Sequence, residues 1–294
     1  MSAVAVLGLG AMGLPMATHL ARTTTVHGFD VSTDRLDLAQ AAGVVPSATA
    51  AQACADATVV VVGVRDGTQL DTVLFGTDGA VETLAAGSVV VVTSTVGAHV
   101  VIDVASRLRE TGVHLVDAPV SGGPVRAGVG DLLIMVGAGA EARSLAAPVL
   151  EALASTLTDV GEVGAGQQLK TINQLLCGVH TAAAAEALAL AHLLGIDLPG
   201  AIEVLGTGAA ASFMLADRGP RMAARLAGET PELRSRLDVI SKDMGIVGDL
   251  ARELKVATPL AAAAEQLYRL GEATGHGAED DSVVVTMLAE GASW

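Results

Sequence analysis

The chain has 294 residues, 51% of them hydrophobic, and carries a formal net charge of −15. Two domains with sizeable cores fit this length, whereas the acidic charge would repel a phosphate backbone, which argues against nucleic acid as a partner. Mean hydropathy is +0.54, yet no window of 18 or more residues is both apolar and free of charge, Gly and Pro, so we predict no membrane span and no membrane partner.

The N-terminus is not typical of a targeting segment. MSAVAVLGLGAMGLP has no positively charged start, and its glycines interrupt the apolar run of a signal peptide, so we expect a cytoplasmic protein. Cys54 and Cys177 form neither a CxxC pair nor a Cys/His ligand spacing, and the seven histidines are scattered. The sequence therefore predicts no disulfide and no metal site.

Short β-branched runs alternate with segments of helical length from residue 3 to about residue 160. The runs include AVAVL, ATVVVVGV, GSVVVVTST, VHLVDAPV and DLLIMVG. Continuous Val/Ile/Leu strands separated by helices are typical of a parallel sheet that is buried on both faces. We predict a doubly wound α/β domain over residues 1–163.

The remainder of the chain, residues 164–294, has helical periodicity only. A long helix is predicted at about 167–194, and its few charged residues indicate that it is covered nearly all round. Further segments with helical periodicity follow, punctuated by Gly and Pro at 199–200, 206–208, 219–220 and 259: IEVLG, SFMLADRGPRMAARLAG, PELRSRLDVISKDMGIVGDLARELK and PLAAAAEQLYRLGEATG. We therefore expect a separate all-helical domain.

A glycine-rich turn follows the first predicted strand. Gly8, Gly10 and Gly13 form a GxGxxG motif, with Leu9, Ala11 and Met12 between them, and Asp30 ends the second strand. Such a turn brings backbone N–H groups and a helix N-terminus to a pyrophosphate, and the acid accepts bonds from the adenosine ribose. Asp30 would repel a 2′-phosphate, which favours NAD over NADP, although Arg35 argues in the other direction.

The segment GAGQQLKTINQ, residues 164–174, contains one of only three lysines in the chain. Lys170, Asn173 and Gln174 fall at i, i+3 and i+4, so they share one face of the predicted helix. Such a stripe is either a solvated edge or the lining of a site. Burial disfavours the charged form of an amine, so a shielded lysine can act as an acid or base near neutral pH.

A second loop, DAPVSGGP, follows the predicted strand VHLV at the carboxyl edge of the sheet. Open α/β sheets bind ligands at this edge. The hydroxyl of Ser121 and the backbone N–H groups of Gly122 and Gly123 can hold a small carboxylate. The alternative is a simple proline-and-glycine turn.

Four segments, VLGLGAMGLPMATHL, DAPVSGG, GAGQQLKTINQ and SKDMGIV, occur in this order over most of the chain. Together they resemble the signature segments of the β-hydroxyacid dehydrogenase family, which includes 3-hydroxyisobutyrate, tartronate semialdehyde and 6-phosphogluconate dehydrogenase-type enzymes. The resemblance implies a Rossmann domain, a long interdomain helix and an all-helical domain used in oligomerisation, so that we expect a homodimer or homotetramer. It also implies hydride transfer between nicotinamide and a small 3-hydroxy acid or its semialdehyde.

The resemblance also assigns roles to individual residues. It implies that Lys170 is the catalytic lysine and that Asn173 orients the substrate carried by the loop at 121–123. It places Thr95 beside the nicotinamide ribose and Lys242 near the cofactor. Asp280 falls where the family often has an acid.

Four residues, in three segments, depart from the family pattern. Gln174, in the substrate pocket, stands where many members have a second asparagine. Val64 and Arg65, at the cofactor rim, replace Leu-Pro, and Thr93 replaces an aspartate. These departures leave the reaction type intact and the identity of the substrate open.

Three alternatives are kept. An imine reductase shares the architecture, but Asp30 and Lys170 both argue against it. A 6-phosphogluconate dehydrogenase would need a basic phosphate pocket and a longer C-terminal domain. A noncatalytic dinucleotide-binding module would be expected to lack Lys170.

Overall fold

The computed structural model describes residues 3–290. The chain forms two compact units, the first ending at Lys170 and the second beginning at Thr171. The predicted boundary, between residues 163 and 164, lies just before the helix that contains this division.

The N-terminal unit is built on one sheet. Within residues 3–290, its strands are β1 (Ala3–Leu7), β2 (Val26–Phe29), β3 (Val45–Pro46), β4 (Ala57–Val62), β5 (Val89–Val92), β6 (His114–Asp117), β7 (Val120–Ser121), β8 (Leu132–Gly137) and β9 (Ala154–Gly161). The order is β3-β2-β1-β4-β5-β6-β8-β7, and β9 pairs with β8. From β3 to β6 all pairs are parallel, whereas β6 and β7 both run antiparallel to β8. The prediction of a doubly wound, Rossmann-type sheet is confirmed.

Helices cover both faces of this sheet. They are α1 (Gly13–Leu20), α2 (Thr33–Ala41), α3 (Ala50–Cys54), α4 (Gly67–Phe75), α5 (Ala98–Glu110), α6 (Gly123–Ala127) and α7 (Ala140–Leu153), with a 3₁₀ turn at Ala80–Glu82. Alternate residues of β1 belong to two different cores, since Val4 and Val6 pack on one side and Ala5 and Leu7 on the other. This two-sided burial explains the unbroken apolar strand sequences.

Strand β9 has no counterpart in the predicted elements. Its sequence, ASTLTDVG, is mostly polar and largely exposed. Among the described residues it pairs with β8 alone, in parallel, from Ala154 to Gly161. A strand that is held by backbone pairing at the edge of a sheet leaves no apolar pattern in the sequence.

The C-terminal unit is helical, as predicted. Helix α8 (Ala165–Leu193) runs into it and is followed by α9 (Leu198–Gly206), α10 (Phe213–Leu226), α11 (Leu237–Leu254) and α12 (Pro259–Ala273), then by a 3₁₀ turn at Asp281–Val283 and α13 (Val284–Glu290). Ala185 and Leu188 of α8 are fully buried in the core of this unit. The hydroxyl of buried Tyr268 donates to the carbonyl of Gly178 at 2.6 Å, which ties α12 to α8.

Helix α8 is long and apolar enough, by length and composition alone, to cross a membrane. Ala185 and Leu188 of this helix lie in the core of the helical unit, but less than half of its apolar window is buried. The absence of a membrane span therefore stays a prediction.

Helix α10 continues through Gly219 and Pro220 to Leu226, in agreement with the helical periodicity of this segment. The helix persists there because it packs on α9, where a Cβ on Gly219 would lie 3.2 Å from Ile202. The helical periodicity that begins at Pro231 predicts a helix over residues 231–236, and this prediction is wrong: α11 begins at Leu237, and the N–H groups of Arg234 and Ser235 donate to Asp280.

Candidate functional site

The predicted cofactor and substrate segments of the N-terminal unit lie at one edge of the sheet. They follow the carboxyl ends of the parallel strands β1, β4, β5 and β6. Neighbouring parallel strands end at the same edge, so the sheet brings these segments together. This is the place where open α/β sheets bind ligands.

The glycine turn after β1 is held by a close approach of backbone to backbone. Gly8 has φ +88°, and a Cβ there would lie 2.7 Å from the carbonyl oxygen of Gly63. A Cβ on Gly13 would lie 1.8 Å from the carbonyl oxygen of Gly8. The turn therefore tolerates no side chain at either position.

Gly10 differs from these two glycines. A Cβ on Gly10 would meet no protein atom within 4 Å, so packing within the chain does not require glycine there. A side chain would instead fill the space in front of the turn, which is where a pyrophosphate approaches the backbone. The residues present therefore fit a dinucleotide.

The other residues of the turn have different environments. The side chain of Leu9 is buried in the core, Met12 packs against that core, and Ala11 is exposed. The N–H of Leu9 donates to Asp30 Oδ2 at 2.6 Å, and Asp30 Oδ1 accepts from Ser32 N at 2.9 Å. Asp30 thus fixes the glycine turn and presents a carboxylate beside it.

Two further predicted segments border this edge. Val64 packs against the core, and the N–H of exposed Arg65 donates to Gln69 Oε1 at 3.0 Å. Thr95 is half-buried in the loop between β5 and α5. Arg35, the residue that argues for NADP, is half-buried in α2.

The predicted substrate loop follows β6. Ser121 ends β7 and is half-buried, while Gly122 and Gly123 have φ values of +142° and +76°. L residues rarely adopt such φ values, so the backbone conformation of this loop depends on the glycine pair. The same loop begins at Asp117, the last residue of β6.

Asp117 is fully buried and binds the start of α8. Its Oδ2 accepts hydrogen bonds from Gly164 N at 3.0 Å and Gln167 N at 2.9 Å, and its Oδ1 accepts from Gln167 Nε2 at 2.9 Å. Burial raises the pKa of this carboxyl group, and the bonds from Gln167 and Gly164 oppose that shift. Gly166 is part of the same attachment, since a Cβ there would lie 2.7 Å from Met135 O.

Lys170 lies on α8 three residues after Gln167 and is only 6% exposed. An i, i+3 pair shares one helix face, about 4.5 Å apart along the axis. The lysine is therefore shielded from solvent, close to the turn of α8 that is fixed to the sheet edge.

In the C-terminal unit, the predicted residues belong to one hydrogen-bonded chain. Asn173 Nδ2 donates to Gln174 Oε1 at 2.9 Å and to Cys177 Sγ at 3.4 Å. Gln174 Nε2 donates to Asp243 Oδ2 at 2.5 Å, and Asp243 Oδ1 pairs with Lys242 Nζ at 3.0 Å. Buried Asp243 thus joins a residue predicted to bind substrate to one predicted to bind cofactor.

Asp280 is occupied by structural contacts. It accepts hydrogen bonds from Arg221 Nε at 2.9 Å and from the N–H groups of Arg234 and Ser235. It also accepts from Ser282 N at the start of the last 3₁₀ turn. This acid holds α10 to the segments before α11 and α13.

Comparison with known proteins identifies the family. Residues 3–161 match a model of the NAD binding domain of 6-phosphogluconate dehydrogenase, and residues 164–288 match one of the NAD-binding region of NADP-dependent 3-hydroxyisobutyrate dehydrogenase. The chain is 40% identical to L-threonate dehydrogenase of Cupriavidus necator over 97% of this chain and 95% of that protein. The chain belongs to the β-hydroxyacid dehydrogenase family. As a β-hydroxyacid dehydrogenase, it transfers hydride between a nicotinamide dinucleotide and a small hydroxy acid.

Two other relatives of this β-hydroxyacid dehydrogenase cover nearly its whole length. It is 31% identical to 3-sulfolactaldehyde reductase of Escherichia coli over 98% of this chain and 96% of that protein. A crystal structure of 3-hydroxyisobutyrate dehydrogenase from Salmonella typhimurium superposes with a TM-score of 0.89 at 35% identity, covering 97% of this chain and 99% of that chain. These relatives support the hydroxy-acid assignment over the imine reductase and noncatalytic alternatives.

Gln167 and Asp243 were not singled out from the sequence. Gln167 reads as one polar residue among several at a helix start, and Asp243 as the neighbour of Lys242 in SKDMGIV. Zero exposure of Gln167 and 4% exposure of Asp243 are what distinguish them. A short sequence window carries no signal for that burial.

Proposed function

We propose that the protein is an NAD-dependent dehydrogenase of a small polyhydroxy acid of the L-threonate class. The single observation that carries the proposal is the burial of Lys170 beside the fixed first turn of α8, at the same sheet edge as the glycine turn. The L-threonate dehydrogenase relative supports the substrate class, because its similarity extends over 97% of this chain.

Lys170 is proposed as the general acid/base. In oxidation, its Nζ accepts the proton of the substrate hydroxyl as that carbon loses hydride; in reduction, it returns the proton to the carbonyl oxygen. Its 6% exposure keeps bulk water from competing for this proton. A bound dinucleotide supplies the hydride acceptor at its nicotinamide ring.

The glycine turn and Asp30 are proposed to hold the dinucleotide. Gly10 leaves room for phosphate, and the start of α1 presents backbone N–H groups. Asp30 is already fixed by Leu9 and Ser32, so its negative charge lies beside the turn at a defined position. That charge favours ribose hydroxyls over a 2′-phosphate, which is the reason for proposing NAD.

The loop at 121–123 is proposed to bind the substrate carboxylate. Gly122 and Gly123, both with positive φ, directly follow Ser121 in the chain, so their N–H groups and its hydroxyl are the donors proposed for this carboxylate. Asn173 and Gln174 are proposed to bind the remaining polar groups of the substrate. Support for Gln174 comes from its bond to Asp243, which fixes the direction of its amide.

We also propose a cytoplasmic homodimer or homotetramer. Apolar side chains of α8 and its C-terminal turn are exposed in the single chain: Ile172, Leu176, Leu190, Leu193 and Leu194. Burial of such residues against a second copy would remove this apolar area from water. Light scattering on the purified protein measures the assembly directly.

A substrate screen tests the proposed function. Purified protein is assayed for reduced nicotinamide with NAD or NADP and a panel of three-carbon to six-carbon hydroxy acids that includes L-threonate, D-threonate and 3-hydroxyisobutyrate. We expect the highest kcat/KM with NAD and L-threonate or a close analogue. The product is identified by NMR, which shows which hydroxyl carbon is oxidised. No turnover of any panel member with either dinucleotide would contradict the proposal.

A further inference from the structure

The side-chain amide of Gln167 makes four hydrogen bonds in the interior of the N-terminal unit. Its Oε1 accepts from Val96 N at 2.9 Å and Gly97 N at 3.1 Å. Its Nε2 donates to Ser94 O and to Asp117 Oδ1, both at 2.9 Å. The side chain is fully buried, so water does not substitute for these partners.

These bonds join the three segments of the N-terminal unit that carry the proposed chemistry. Three of the bonds go to the chain neighbours of Thr95 in the loop after β5, namely Ser94, Val96 and Gly97. Asp117 begins the loop that contains Ser121. Gln167 itself lies one helical turn before Lys170 on α8. A single buried pair therefore sets the spacing of the nicotinamide loop, the substrate loop and the lysine.

The hydrogen-bond partners of Gln167 permit only one of the two orientations of its side-chain amide. Oε1 faces two N–H donors, whereas Nε2 faces a carbonyl oxygen and a carboxylate oxygen. If the amide were rotated by 180°, its NH₂ group would face two N–H donors and its oxygen would face two acceptor oxygens, so all four hydrogen bonds would be lost. The carboxylate of Asp117 is also fixed in orientation, because the N–H groups of Gly164 and Gln167 both donate to its Oδ2.

We propose that Gln167 and Asp117 are positioning residues, which hold Lys170 at the correct distance from the loops that bind nicotinamide and substrate. This inference rests on the proposed function of Lys170 as the general acid/base. Displacement of a reacting group by about 1 Å lowers turnover on the order of 10²-fold. Loss of the pair is therefore expected to lower kcat.

The substitutions Gln167→Glu and Gln167→Asn test the proposal, with Gln168→Glu as the matched control. Gln168 is the next residue on the same helix and is exposed, so its variant adds the same charge without touching the pair. A glutamate at 167 places a carboxyl group against Asp117 Oδ1 and Ser94 O, which are both acceptors. Only the protonated carboxyl group can donate a hydrogen bond to either of them. An asparagine keeps the amide but is too short to reach both loops.

We expect Gln167→Asn to lower kcat by about 10-fold to 100-fold per folded protein, with NAD affinity close to that of the Gln168→Glu control. For Gln167→Glu, the ratio of its kcat to that of the control should fall as pH rises, because the protonated carboxyl group that replaces the amide is lost. The titratable groups within three residues of the pair and its hydrogen-bond partners along the chain are Asp117, Lys170, His99, His114 and Glu162. All are present in the control, so the ratio removes their titration.

A purely structural role would lower the melting temperature and leave kcat per folded protein unchanged. That result for Gln167→Asn, with a pH-independent ratio for Gln167→Glu, would overturn the positioning proposal and leave the proposed function intact. If the wild-type protein and the Gln168→Glu control oxidise no hydroxy acid, both the positioning proposal and the proposed function are overturned. The control therefore separates the two failures.

Discussion

The backbone N–H of Leu9 donates a hydrogen bond to Asp30 Oδ2 at 2.6 Å. The residue that follows β2 thereby fixes the turn that follows β1, and these two strands are paired in parallel from Val4 to Leu7 of β1. One carboxylate both shapes the glycine turn and places negative charge next to it. A substitution of Asp30 is therefore expected to change both cofactor choice and protein stability.

Asp30→Ser is expected to shift cofactor selectivity from NAD towards NADP. Loss of the carboxylate removes the acceptor for the ribose hydroxyls and the charge that repels a 2′-phosphate. We expect kcat/KM for NAD to fall about 10-fold, the value of one hydrogen bond to a charged group. Steady-state kinetics with both dinucleotides measures this, with exposed Asp37→Ser in α2 as the control. An unchanged ratio of NAD to NADP efficiency would show that Asp30 does not select the cofactor.

Asp243 and Gln174 are expected to be energetically coupled. Removal of Gln174 takes this partner from buried Asp243, and removal of Asp243 takes it from half-buried Gln174; leaving a buried polar group without its partner costs about 1–3 kcal/mol. A double-mutant cycle of Asp243→Ala and Gln174→Ala, measured by urea unfolding, should give a coupling of about 1 kcal/mol or more. Asp249→Ala, on the exposed face of the same helix, is the control. Simple additivity of the two substitutions would rule out the coupling.

The stability of the protein is expected to depend on pH through Asp280. Burial raises the pKa of this carboxyl group, but hydrogen bonds from Ser282 and Arg234 N and the charge of Arg221 outweigh burial and hold the pKa below its ordinary value. A lowered folded-state pKa means that the stabilisation is present above the unfolded pKa of about 3.9 and is lost as pH falls through the folded pKa.

Asp280→Asn is therefore expected to destabilise the protein by about 3 kcal/mol at neutral pH, because Arg221 loses a buried counterion. The difference from wild type should shrink below about pH 4. Urea unfolding at a series of pH values measures both effects. A difference that stays constant down to acid pH would contradict the ionised pair.

Much of the fold is predictable from the sequence, because β1, β4 and β5 are buried on both faces and leave continuous apolar runs. The glycine turn is predictable for a similar local reason, since Gly8 and Gly13 have no room for a Cβ. The sequence pattern does not predict β9, and it wrongly predicts a helix at residues 231–236. Pairing at a sheet edge decides the first feature and hydrogen bonds to Asp280 decide the second, and neither leaves a periodic signal.

The candidate site is predictable to a lesser extent. Family resemblance and spacing identify Lys170 and the loop at 121–123, but they do not reveal what holds them. The bonds of Gln167 to Ser94 and Asp117 join positions more than 45 residues apart in the chain. Contacts over such separations depend on the folded sheet, so single-sequence patterns do not show them.

Lys170→Ala, with Lys255→Ala as the exposed control, tests the central claim most directly. The measurement is kcat for hydroxy-acid oxidation, together with the dissociation constant for NAD from fluorescence titration. We expect Lys170→Ala to lower kcat on the order of 10² to 10⁴-fold and to bind NAD as wild type does. Wild-type turnover in Lys170→Ala would show that this lysine is not the general acid/base.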